Sequence, residues 1–118
     1  MLMDLIKARH SIRKYTGEQI DRKNLEIILE AGNFAPNAGG GQRSRMENMV
    51  LQATELGIAS CIVSRGAETF ASEEGKKLMK QWDVPEGYSC QGFVILGYID
   101  GVQPHSKPRK PGRIKIIE

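Results

Sequence analysis

Aromatic side chains make up only 6% of this 118-residue chain, with one tryptophan among them. A platform for single-stranded nucleic acid interleaves aromatics with basic residues, and such interleaving is missing here. Cysteine is as sparse. Cys61 and Cys90 stand alone with no CxxC spacing, which excludes a zinc knuckle or a redox dithiol by pattern and leaves two small buried hydrophobes. The two histidines, His10 and His105, have no acidic cluster around them in sequence, so no metal site is expected. There is no apolar run of membrane-spanning length, no P-loop or dinucleotide fingerprint and no internal repeat. Met1–Asp4 does not open like a secretory signal, so a reducing cytoplasm is the expected setting. A net charge of +3 permits an anionic ligand. Phosphate contacts alone would give only salt-sensitive, non-specific binding, so neither nucleic acid nor membrane is expected as a partner.

What is present is an ordinary globular balance, 40% hydrophobic and 26% charged, on a length that fits one domain. Its most informative stretch is Arg9-His10-Ser11-Ile12-Arg13-Lys14-Tyr15. Residues 2–9 before it read as a short helix with Leu2, Leu5 and Ile6 on one face. In an extended backbone alternate side chains point the same way, which would set Arg9, Ser11 and Arg13 together. Two guanidinium groups flanking a hydroxyl make a fork suited to phosphate; a solvated basic turn is the plainer alternative.

The rest of the chain reads as alternating helices and strands. Asp21 is placed as an N-cap, with Ile20 and Leu25 as a hydrophobic staple, for a helix that carries Leu25, Ile28 and Leu29 as an apolar stripe and ends near Gly32. Ala35-Pro36-Asn37-Ala38-Gly39-Gly40-Gly41 follows, and its glycine run serves either a close approach to a ligand or a flexible linker. A helix from about Met46 to Leu56 carries a Met46, Met49, Val50, Ala53 stripe and closes on Gly57. Ile58–Val63 reads as a buried strand, and Ser64-Arg65-Gly66 as a turn. Ser72 caps a helix whose apolar face is Leu78, Met79 and Trp82, the last a packing residue. Phe93–Tyr98 reads as a central strand. Beyond Gly101 a Pro-rich basic segment is extended, and Arg113–Ile117 alternates as an edge or exchanged strand would.

Taken in order, several of these pieces resemble the FMN-dependent nitroreductase family. They are Arg9–Tyr15, Ala35–Gln42, Glu47-Asn48-Met49 leading into Leu56–Cys61, Trp82–Tyr88, Val94–Tyr98 and Lys107–Lys110. The resemblance implies an α+β fold, a small antiparallel sheet flanked by helices, built as an intertwined homodimer with an exchanged C-terminal tail. It implies FMN at the subunit interface. Arg9 and Ser11 would hold its phosphate and ribityl chain, and Arg13 would sit by the pyrimidine edge, where positive charge favours the reduced flavin. His10 belongs to the same set. Pro36, Asn37, Ala38 and Gly39 would approach from the other subunit, Ile62 and Val63 would pack on the ring, and Arg109 with Lys110 would close on the phosphate. The implied activity is transfer of electrons from NAD(P)H through FMN to nitroaromatic or quinone-type acceptors, with no side chain acting as acid, base or nucleophile.

One departure from the family pattern is large. Gln42–Glu47 directly joins two ends that a long segment separates in the family, and Gly40 stands where the family has Asn. Residues 1–118 are therefore expected to form a single, internally shortened domain. The lost segment would have buried apolar surface, so the remaining fold should lean on dimerisation. The alternative reading is a catalytically impaired dimer that keeps the fold and binds flavin or a partner.

Overall fold

The computed structural model describes residues 1–36 and 43–118. In chain order the elements are α1 (Leu2–Ala8), α2 (Arg22–Asn33), α3 (Arg43–Glu55), β1 (Ala59–Val63), α4 (Gly66–Ala71), α5 (Glu73–Gln81) and β2 (Phe93–Gly97). Asp21 takes the N-cap position of α2 in extended conformation, although its carboxylate makes no capping bond. Ile20 packs against the core formed by Ile28, Ala53 and Ile58, as a staple residue should. The α3 stripe buries Met46, Val50 and Ala53. Gly57 then adopts a φ of 74°, the left-handed turn that ends a helix without a Cβ clash.

β1 and β2 form a two-stranded antiparallel sheet, with Cys61 opposite Ile95 and Ile62 opposite Val94. Opposed residues share a face, so Ser60, Ile62, Val94 and Leu96 form one side and Ala59, Cys61, Val63, Phe93, Ile95 and Gly97 the other. Leu96 packs on the Ile28–Ala53–Ile58 core, which places the helical layer of α2 and α3 on the first side.

Three expectations need correction. α3 begins at Arg43, a turn earlier than Met46, because Arg43 and Arg45 are good helix formers with no breaker between them. The turn after β1 runs at once into α4. β2 is not central: among the described residues it pairs with β1 alone, and Phe93 and Ile95 remain 37% and 43% exposed. Among the described residues the tail segment 113–117 pairs with no strand of its own chain, so an edge strand within the chain is not formed. Ile114, Ile116 and Ile117 are exposed, since an edge strand needs a sheet edge to pair with.

Candidate functional site

The basic stretch is extended, as its alternation suggested, and it crosses one end of the sheet. Arg9 is the C-cap of α1, with φ −66° and ψ 126°. The backbone N–H of Ile12 donates to Ser60 O at 2.9 Å, that of Thr16 to Tyr98 O at 2.9 Å, and that of Asp100 to Lys14 O at 3.0 Å. Ser11 bridges Ser60 and Tyr15 bridges Ile99. Ile12 points inward at 4% exposure, which leaves its neighbours Ser11 and Arg13 on the outer side.

The three residues of the expected fork do not share one cleft. Ser11 and Arg13 line a cleft of about 220 Å³ with Asp100, Val102 and Pro104. Arg9 and His10 line a neighbouring cleft of about 450 Å³ with Ser60, Tyr98 and Gln103. The division has a local cause. Arg9 leaves the end of a helix, and its Nε lies 3.5 Å from Glu47 Oε1 on α3. That pair is partly exposed, so it is worth at most about 1 kcal/mol and can yield to a stronger anion.

His10 uses both ring nitrogens within the chain. Nδ1 lies 2.7 Å from Ala8 O and 3.1 Å from Gln103 Nε2, and Nε2 lies 2.8 Å from Ser106 Oγ. Gln103 Nε2 also donates to Ala8 O at 3.2 Å. A serine hydroxyl can donate or accept, so the link to Ser106 closes with either imidazole tautomer. These contacts bring the root of the tail onto the basic stretch. Arg109 and Lys110 follow a few residues later and are exposed, with Arg109 Nη1 donating to Lys107 O at 3.5 Å.

Ile62 and Val63 are half-buried on β1. Ile62 lines a third cleft, of about 520 Å³, with Arg43, Met46, Glu47, Ser64 and Gln91. Glu47 thus forms part of this cleft while reaching Arg9 in the next one. Pro36 is exposed; Asn37, Ala38 and Gly39 lie outside the described residues.

Tyr15 adds a buried polar group. Its hydroxyl oxygen is buried with no hydrogen-bond partner among the described residues, and its ring lies so close to Gly97 that a Cβ there would fall 2.8 Å from Cδ1. Burial pushes its pKa above the ordinary value, charge on Cys61 adds to the rise, and Arg13 opposes it.

Sequence reading missed Glu47, Ser60, Gln103 and Ser106 as neighbours of the site. Glu47 was legible as a helix residue and as part of the Glu47-Asn48-Met49 piece, with no sign of its contact with Arg9. Nothing local distinguishes Gln103 or Ser106 within an extended Pro-rich segment.

The family model described as Nitroreductase family matches residues 6–46, the span that contains the basic stretch and α2. No curated protein matches the chain. Among solved structures, a nitroreductase with bound FMN from Bacteroides fragilis NCTC 9343 is similar over 99% of this chain and 98% of its own, with TM-score 0.90 and 25% identity. A nitroreductase with bound FMN from Desulfitobacterium hafniense DCB-2 reaches TM-score 0.85 at 18% identity, covering 99% of this chain and 98% of its own. An FMN-dependent nitroreductase from Clostridium difficile R20291 reaches 0.78 at 18%, with 98% of each chain covered. The last two likenesses concern the fold.

Proposed function

We propose that this chain, recognisable as one of the nitroreductase family, is an FMN-binding oxidoreductase that passes electrons from NAD(P)H to nitroaromatic or quinone-type acceptors. The observation that carries the reading is that the root of a second, distant basic segment is tied to the first. The hydrogen bond between His10 and Ser106, 2.8 Å long, sets the root of the Lys107–Lys110 segment against the Arg9–Arg13 stretch. Likeness to the FMN-bound Bacteroides fragilis structure over almost the whole chain supports it further.

The side chains present suit the cofactor's anionic end. Ser11 and Arg13 would bind and orient a phosphate or ribityl hydroxyl by charge-assisted hydrogen bonds. Arg9 would join them on leaving Glu47, and Arg109 with Lys110 would add charge from the tail. Ile62 offers a half-buried apolar surface for a flat ring and would keep water from one of its faces, whereas Val63, the next residue along β1, faces the other side of the sheet. FMN, when bound, would supply the two-electron redox chemistry itself. In this reading the domain, internally shortened after about Ser44, works as a homodimer. The isoleucines of the exposed tail then find a sheet edge on the second copy, and the second copy's Pro36 loop completes the site. A cytoplasmic setting suits such an enzyme.

A second reading, a dimeric flavin-binding or interaction protein with poor turnover, is favoured by the small sheet, which leaves Phe93 and Ile95 exposed where a substrate pocket needs walls. The visible absorption spectrum after size-exclusion chromatography tests both. A yellow dimer bleached by NAD(P)H under anaerobic conditions supports the enzyme. A yellow dimer that bleaches only very slowly supports the second reading. Protein that stays colourless after FMN is added overturns flavin binding altogether.

A further inference from the structure

Resting on the flavin reading above, we infer that His10 is a positioning residue: it anchors the root of the C-terminal tail and so delivers Arg109 and Lys110 to the phosphate end of the site. Three observations lead there. His10 bonds Ser106 through Nε2 and lies beside Gln103, whose Nε2 is 3.1 Å from Nδ1, both residues more than ninety positions away in sequence. Gln103 makes a second bond across the same gap, to the last carbonyl of α1. The tail beyond is exposed throughout, so these bonds are its described polar attachment to the body of the chain.

The placement has a chemical consequence. Pro104 and Pro108 flank the anchored Ser106 and limit the backbone freedom of the segment between them. Fixing Ser106 therefore restricts the volume that Arg109 and Lys110 can sample, which raises their effective concentration at the basic stretch. His10 acts on the phosphate through these residues. With both nitrogens occupied, it need not touch the ligand itself.

Trypsin provides a direct readout, because the bond between Arg109 and Lys110 is cleavable and a protease must draw several residues on either side of it into its cleft. Ser106 must then leave His10. His10→Ala and Ser106→Ala are expected to speed nicking at this bond by about tenfold and fivefold, from the loss of one or two modest hydrogen bonds. Ser106→Thr, which keeps the hydroxyl, should nick like the natural sequence. The double alanine variant should be no faster than His10→Ala alone. FMN affinity, followed by quenching of flavin fluorescence, should fall about fivefold in His10→Ala while the melting temperature stays within about a degree. Unchanged nicking in His10→Ala overturns the anchor, and faster nicking with unchanged FMN affinity overturns the positioning role. Natural-sequence protein that binds no FMN sinks the flavin reading instead, and the nicking comparison, which needs no flavin, still decides the anchor.

Discussion

The helical layer of α2 and α3 and the α5 helix of the α4–α5 lobe share an amphipathic pattern but not its outcome. In the first, Ile28, Val50 and Ala53 are completely buried. In the second, α5 buries only Gly75, while Leu78 and Trp82 stay 38% and 61% exposed. Phe70 ties the lobe inward with its ring centroid 5.3 Å from that of Phe93 and 5.8 Å from that of Trp82 at the end of α5, and buried Gly66 lies against Phe93 as well. The difference lies in what each helix meets. α3 packs on α1, α2, β1 and β2, whereas α5 packs mainly on α4. An apolar stripe sets which face of a helix can be buried; the number of surfaces around it sets whether it is.

The contrast can be broken most sharply at its buried end. Ile28→Ala should destabilise by about 2–5 kcal/mol, the range for emptying a closed core site, read as a lower urea midpoint; a cost under about 1 kcal/mol would mean the layer is looser than its burial implies. Gly75→Ala tests the foot of the lobe. An added Cβ would overlap the Thr69 carbonyl oxygen and come within 2.5 Å of Phe70 Cα, backbone atoms that cannot swing aside. A loss of about 1–3 kcal/mol is expected, against a helix-propensity gain of up to about 1 kcal/mol. Net stabilisation would show that the lobe shifts freely.

A smaller change sharpens the comparison at the end of α5. Asp83 has a φ of 56°, and Val84 N donates to Met79 O at 2.9 Å, the long bond of a Schellman turn. Asp83→Gly should gain about 0.5 kcal/mol by relieving the left-handed strain of a non-glycine residue, measured by thermal denaturation.

The smallest effect is expected at Tyr15→Phe. Near neutrality it should leave the melting temperature level or raise it slightly, because the lost hydroxyl is buried and unpartnered. Its pH signature is more specific. The Tyr15 pKa is raised from 10.0, chiefly by burial, so the folded chain keeps a proton that the unfolded chain releases. That contribution is complete below pH 10.0 and is lost as the pH rises through the raised value,. Stability of Tyr15→Phe should therefore fall less steeply in alkaline solution, and identical alkaline limbs would refute the burial of that hydroxyl.

Most helices and strands were legible because each carries a complete local signal. The Met46, Val50, Ala53 spacing announces α3, Ser72 with Glu73 and Glu74 announces α5, and the Phe93–Gly97 run announces β2. α4 was not legible. It starts on Gly66, and Phe70 is its one large apolar residue, so no period can show in so short a span. The tail isoleucines alternate correctly yet form no strand, because pairing depends on a partner that no local pattern contains. At the candidate site the basic stretch and its extended form were legible for the same local reason. The division of Arg9 from Ser11 and Arg13 was not, since it comes from Glu47, and Gln103 and Ser106 reach His10 only through the folded topology.

The ion pair between Arg9 and Glu47 gives this chain an internal counter-ion. A guanidinium already held by a carboxylate has lost part of its rotational freedom before any ligand arrives, so less is lost on binding. An incoming phosphate then exchanges one anion for another at Arg9 rather than stripping a small ion from solution. Arg9 should thus contribute little to the ionic-strength dependence of anion binding, even though it contributes to the affinity itself.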